Sequence, residues 1–272
     1  MIYIASSFYF NFNLFILFIL FIFYIEYNMI KKNIKIMSFN ILAAEWIDKY
    51  YYPTVSKKIV FNRKERLKKI LTWINNFDPD IILLQEVMRL EYNSLYFHLK
   101  NQYIFSPLNP IIWTKGNDTK FESGNITLIK KSFTTAEIKH YRFNYGICSV
   151  ISSVSLSIVN VHLDQYSCQT RYKQIKNIEP LLYSSDKCIL GGDFNQSYKK
   201  NSKIYNLPKF YIHNKLCQTY YIERKMDIDN IMTRGFTIYK SINNCNLIPT
   251  SIEEGFKIYG SDHIPIVVNI IL

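Results

Sequence analysis

Glycine and proline are scarce, 8 of each in 272 residues. With hydrophobic residues at 49% and aromatics at 16%, that scarcity excludes a disordered chain and marks a globular one. Cysteine is also sparse, 5 in all, an odd number with no CxxC and no Cys/His zinc spacing. A disulfide framework and a zinc site are thereby excluded, and a reducing, intracellular compartment is expected. The sequon Asn195-Gln196-Ser197 agrees, because it lies on a motif that a glycan would obstruct. Acidic side chains are outnumbered, 21 Asp and Glu against 33 Lys and Arg, for a net charge of +12. Such a field suits a polyanionic partner, nucleic acid or anionic lipid. Enrichment in Lys, Ile, Asn, Tyr and Phe with little Ala also fits the coding bias of an AT-rich genome.

Charge is wholly missing from Ile2 to Ile25, a stretch long enough to span a bilayer. No basic region precedes it and no small-residue cleavage site follows, which argues against a cleaved signal peptide. Residues 1–28 therefore read either as a membrane anchor or as an untranslated region upstream of Met29 or Met37. Lys31, Lys32 and Lys35 would keep an anchored domain on the cytosolic side. Without the anchor the protein would be cytosolic or nuclear. Beyond residue 30 there is no linker, repeat or low-complexity tract, so residues 33–272 read as one domain. Oligomeric state is not legible.

Within that domain, Leu67, Ile70, Leu71 and Ile74 recur at helical spacing and predict a helix over Arg63–Phe77, ended by Asp78-Pro79. A second helix is expected over about Val87–Leu99, and a third over Cys168–Leu182. Apolar runs predict strands at Ile34–Phe39, Ile81–Leu84, Ile126–Ile129, Ile147–Val154, Leu156–Val161, Cys188–Leu190, Asp227–Met232 and Ile264–Ile271. Strands mixed with helices, some joined by short turns, indicate α/β layers.

Polar groups recur at the ends of these strands. "IKIMSFN" ends on Asn40, "DIILLQE" on Glu86, and "LSIVNVHLD" carries His162. "KCILGGDFN" delivers Asp193 and Asn195 after two glycines. "MDIDNIM" holds Asp229, and "GSDHIPIVV" places Asp262 and His263 before the last strand. Any one of these alone would be a turn, a cap or a satisfied core residue. Together, carboxylates, amides and histidines attached to buried strands mark a functional edge, because buried carboxylates are costly unless paired or metal-bound.

The blocks "LQE", "GGDFN" and "SDH", in this order, resemble the endonuclease/exonuclease/phosphatase superfamily of metal-dependent phosphoesterases, over about Ile34 to Leu272. The resemblance implies an α/β four-layer sandwich, two mixed sheets packed face to face with helices outside, and a site at one edge. It implies Mg²⁺, with Mn²⁺ able to substitute, held by Glu86, Asn40 and Asp262. It implies that Asp193 activates water, that Asn195 donates to phosphoryl oxygens, and that His263 and His162 bind or protonate phosphate. Asp229 would modulate the acid or a second metal. The glycines would leave room for the phosphate. Arg171 and Gln174 fit an Arg-Gln helix of the family, or else a solvated helix face.

Single-stranded RNA or DNA is the expected substrate, on a resemblance to the deadenylase-type branch around "FNILAAEW" and "KYYYP". Trp46 and Tyr50, Tyr51 and Tyr52 would stack on unpaired bases, or else fill core. A tyrosyl-DNA phosphodiesterase or a phosphoinositide or sphingomyelin phosphodiesterase is the alternative.

Overall fold

The computed structural model describes residues 33–271, apart from 48–51, 53–54, 116–118, 134–138, 143–146, 153–154, 199–201, 214–218, 221–225 and 243–247. The apolar segment 2–25, on which the anchor expectation rests, lies outside the described residues. Among the described residues no helix is long and apolar enough to cross a membrane.

The strands are β1 (Asn33–Asn40), β2 (Ile81–Met88), β3 (Tyr103–Phe105), β4 (Asn109–Lys115), β5 (Thr119–Lys130), β6 (Lys139–Arg142), β7 (Ile147–Ser152), β8 (Leu156–His162), β9 (Lys187–Asp193), β10 (Tyr211–Ile212), β11 (Asp229–Arg234), β12 (Thr237–Ile242) and β13 (Ile266–Ile271). The helices are α1 (Lys57–Val60), α2 (Arg63–Phe77), α3 (Arg89–Leu99), α4 (Cys168–Leu182) and α5 (Ile252–Tyr259). One sheet has the order β12-β13-β1-β2-β5-β3, with β4 also on β5, and the other β10-β11-β9-β8-β7-β6. The pairs β1/β2 and β8/β9 are parallel and the other pairings antiparallel, so both sheets are mixed.

Strand alternation sorts side chains into three apolar layers. Ile34, Ile36, Ile81 and Leu83 of the first sheet meet Ile158, Ile189 and Ile231 of the second between the sheets. Met37, Phe39, Ile82 and Leu84 point the other way, onto Ile70 and Ile74 of α2 and Leu95 and Leu99 of α3. Val159, Val161, Leu190 and Met232 pack on Ile175, Ile178 and Leu182 of α4. Helix, sheet, sheet, helix is the four-layer sandwich. α2 starts where Asn62 Oδ1 accepts from the Glu65 amide at 3.2 Å. It stops at Asp78, whose φ of 45° is left-handed.

Two devices bring the sheets into a fixed relation near one end. Asn160 on β8 reaches across the gap, its Nδ2 donating to the carbonyls of Leu84 (3.0 Å) and Ile126 (2.8 Å). Its Oδ1 accepts from Gln85 Nε2 at 2.8 Å. The second device corrects the expectation that Gly191 and Gly192 leave room for a phosphate. A Cβ on Gly191 would lie 2.6 Å from Leu83 Cδ1 of the opposite sheet, so that space is already filled by core. A Cβ on Gly192, where φ is +142°, would lie 1.9 Å from the Val161 carbonyl oxygen. The glycines serve close approach of sheet to sheet and strand to strand.

Candidate active site

Sheet register assembles the site. His162 at the end of β8 is the register partner of Asp193 at the end of β9. Asp193 is in turn the partner of Asp229 at the start of β11. In the other sheet Asn40 pairs with Gln85, and Glu86 follows at a bulge where the β2/β5 register shifts. Glu86 has a left-handed φ of 59°, which costs on the order of 1–2 kcal/mol for a residue with a Cβ. The bulge turns its carboxylate toward the second sheet.

Asn40 Nδ2 donates to Glu86 Oε1 at 2.9 Å and to Asp193 Oδ2 at 3.0 Å, tying the two sheets together. The Ala43 amide donates to Glu86 Oε2 at 2.9 Å. Asp193 Oδ1 accepts from the Asn195 amide at 2.8 Å. Its Oδ2 stands between two imidazoles, 3.7 Å from His162 Nε2 and 3.8 Å from His263 Nε2. His263 Nδ1 lies 2.8 Å from Asp229 Oδ2, which leaves Nε2 as the ring nitrogen that faces Asp193. Tyr52 OH donates to Asp262 Oδ2 at 2.9 Å. Glu86, Asp193, Asn195, His162, His263, Tyr52 and Asp262 border a cavity of about 410 Å³, whose other walls include Leu42, Trp46, Ile111, Tyr166, Tyr220 and Ile228.

Electrostatics follow from crowding acids and imidazoles out of water. Burial, then the Asp229 charge, pushes the Asp193 carboxyl up, while His162 and His263 pull it back. Burial also raises Asp262. Burial disfavours the charged form of His263, but Asp229, Asp262 and Asp193 outweigh it and hold the imidazole up at about 10. Asp193, Asp229 and His263 have ligand atoms within 4.8 Å of one another. Because the His263–Asp229 contact is a 2.8 Å hydrogen bond, that trio is first a dyad facing a carboxylate.

Several expected roles change with the geometry. Asn40 Oδ1 accepts from the Leu42 amide at 3.0 Å, so Asn40 presents its N–H groups to the two carboxylates, and the role expected of it toward a cation would fall to the remaining lone pair of that oxygen. Asn195 Nδ2 donates to the Leu163 carbonyl at 2.8 Å, and only its remaining N–H is available to a phosphoryl oxygen. Arg171 is buried, with Nη1 on the Asp164 carbonyl at 2.8 Å and Nε on Gln196 Oε1 at 3.1 Å. It braces two site loops from behind and does not line the cavity. Tyr52 borders the cavity but is 6% exposed, packs edge-on against Phe256 and donates to Asp262, so it is a packed residue of the cavity wall and not an exposed stacking ring. Tyr50 and Tyr51 lie outside the described residues.

Two site residues had no signal in the strand-end pattern. Tyr220 stacks obliquely on His263 with ring centroids 4.7 Å apart. Arg66 is one of several basic residues in "RKERLKK", yet it alone in that run is fully inside. Its Nε donates to the Gly260 carbonyl and its Nη2 to the carbonyls of Ile41 and Leu42, each at 2.6 Å. The guanidinium thereby clamps the loop after Asn40 to the turn before Asp262 and His263. Replacing Arg66 with Met would leave three buried carbonyls without their donor and should destabilise the fold by about 3 kcal/mol. Thermal unfolding checks this. Activity should fall by about tenfold in the folded fraction, since the two halves of the site lose their common anchor.

The endonuclease/exonuclease/phosphatase family model matches residues 37–263. The chain belongs to that family. Its members are phosphoric ester hydrolases, and this chain is an enzyme of that class. No curated protein matches it in sequence. Among solved structures, ANGEL2, a 2′,3′-cyclic phosphatase, is similar with a TM-score of 0.64 and 14% identity, over 89% of this chain and 96% of that one. The human Nocturnin catalytic domain with bound sulfate gives 0.60 and 16%, over 88% and 95%. Truncated TDP2 of Caenorhabditis elegans gives 0.56 and 17%, over 88% and 98%.

Proposed function

We propose that this phosphoesterase hydrolyses phosphodiester bonds of single-stranded nucleic acid, RNA ahead of DNA, with Mg²⁺ or Mn²⁺ bound at Glu86. The observation that carries the reading is the convergence of Glu86, Asp193, His162, Asp262 and His263 on one cavity of about 410 Å³. Each Glu86 oxygen accepts one hydrogen bond and keeps lone pairs, and Asp262 adds a second carboxylate on the same cavity wall. This oxygen-donor set fits a hard dication. Bound there, the cation would supply screening of charge on the phosphoryl oxygens.

The chain's own residues do the rest. The Asp193 carboxylate, whose affinity for a proton is raised by burial and by Asp229, takes a proton from the attacking water. His263, held charged by Asp229, and His162 beside it donate to the phosphoryl and leaving oxygens. The apolar walls suit an unpaired nucleotide better than a stacked base pair. The net charge of +12 suits a polyanion. A structural neighbour, ANGEL2, is described in complex with adenosine-2′,3′-vanadate, which is consistent with a nucleoside phosphate in a cavity of this kind. The apolar segment before residue 29 would add membrane attachment without entering the chemistry. Removing it should release the protein from membranes with turnover unchanged.

The test is a substrate panel with residues 29–272 in Mg²⁺: single-stranded RNA and DNA, duplex, 2′,3′-cyclic phosphate ends, 5′-tyrosyl DNA, a phosphoinositide and sphingomyelin. Faster turnover of a lipid or of 5′-tyrosyl DNA than of any plain strand would overturn the reading. The cation has its own check. Mg²⁺ at ten times its Kd should stabilise the fold by about 1.4 kcal/mol, a melting shift of about 3–5 °C. Glu86→Gln should remove that shift.

A further inference from the structure

The loop between His162 and α4 is held unusually firmly for a loop that ends in an exposed aromatic. The Asp164 amide donates to Gln174 Oε1 at 2.9 Å. Asp164 Oδ1 accepts from the amides of Tyr166 at 3.0 Å and Ser167 at 2.6 Å. Arg171 Nη1 holds the Asp164 carbonyl at 2.8 Å, and Asn195 Nδ2 holds that of Leu163 at 2.8 Å. Every one of these bonds fixes backbone. None of them holds the Tyr166 ring, which is 81% exposed yet lines the same cavity as His162 and Asp193.

We infer that Tyr166 is a platform for the unpaired base next to the reacting phosphate, and that it sets the enzyme's preference for strands with exposed bases. This rests on the proposed nucleic-acid reading and deepens it. Three residues separate Tyr166 from His162 in the chain and both line one cavity, so a phosphate at the imidazole and a base on the ring can belong to one nucleotide or its neighbour. An aromatic face accepts any base, since every base has a π-face. A rigid backbone beneath the ring means that little ordering cost arises on binding. Asp164 also lines the cavity, and its Oδ1 is engaged by the Tyr166 and Ser167 amides, which offset part of its charge there.

The experiment compares the wild type with Tyr166→Ala and Tyr166→Phe on two substrates in Mg²⁺. One is a single-stranded RNA oligonucleotide, and the other is a strand of the same length and backbone lacking its bases. On the RNA, Tyr166→Ala should lose about tenfold to a hundredfold in kcat/KM, mostly through KM, while Tyr166→Phe stays within about twofold of wild type. On the abasic strand the alanine deficit should shrink to within about threefold. An equal deficit on both strands would make Tyr166 a structural residue, and a phenylalanine variant as poor as alanine would assign the effect to the hydroxyl. Either outcome, or an alanine variant as active as wild type on RNA, overturns the platform alone. A wild type that leaves every oligonucleotide intact overturns the reading of the whole site.

Discussion

Replacing Asp193 with Asn is expected to lower kcat by about a thousandfold while KM moves by less than about threefold. Asp193 is 1% exposed, and its two oxygens are differently used. Oδ1 accepts from the Asn195 amide, and Oδ2 accepts from Asn40 Nδ2 while facing both imidazoles. An amide can keep only one of these sides as an acceptor. If Oδ1 stays oxygen, the new NH₂ group meets the donor of Asn40. If the amide flips, the Asn195 amide loses its acceptor. Neither orientation offers a base whose affinity for a proton is raised by burial and by Asp229, as the carboxylate's is. The interaction matters when the water gives up its proton, which is why kcat carries the loss. Steady-state kinetics on the substrate identified by the panel check it. A change confined to KM would move Asp193 from catalysis to binding.

How much of this was legible depended on whether a feature lives in local pattern or in three-dimensional pairing. α2 and α4 match their expected limits, Arg63–Phe77 and Cys168–Leu182, because a 3.6-residue apolar repeat reports directly on one buried face. Central strands were legible as unbroken apolar runs. β3, β4, β6, β10 and β12 and helices α1 and α5 were not. β10 has two residues, β4 contains Pro110, and α5 contains Gly255, so local propensity argues against each and tertiary packing overrides it. β2 runs on past Leu84 to Met88 because the bulge at Gln85 and Glu86 lets the strand resume. For the site, strand-end polarity identified the groups that meet, since strand ends are where sheet register delivers side chains to an edge. It could not show which way an amide turns. Asn40 and Asn195 were assigned to metal and phosphate, yet the Leu42 amide and the Leu163 carbonyl fix their orientation. Nor could it separate Arg66 from the lysines around it, or Tyr52 from an exposed stacking residue, because burial of a single polar side chain depends on what packs against it.

The dyad of His263 and Asp229 carries the other large effect. Asp229→Asn should lower kcat by about a hundredfold to a thousandfold at pH 7 and shift the alkaline limb of the activity profile toward neutrality. Both follow from one 2.8 Å contact. Asp229 Oδ2 fixes the imidazole with Nε2 toward Asp193, and it is the first of three carboxylates that outweigh burial to hold His263 charged up to about 10. Without that charge, burial dominates and the imidazole loses its proton at lower pH, so fewer molecules carry the donor at a given alkaline pH. The sign for stability is also determined. His263 has a folded value of about 10 against an ordinary 6.5. Its pairing therefore stabilises the fold fully below pH 6.5, and the contribution is lost as pH rises through about 10. Asp229→Asn removes that term, so the melting-temperature gap between wild type and variant should be widest near pH 6 and narrow toward pH 10. The comparison is made at one ionic strength and without added divalent cation. An alkaline limb that does not move, together with a melting gap independent of pH, would show that Asp229 supports packing at the strand end and takes no part in charging His263.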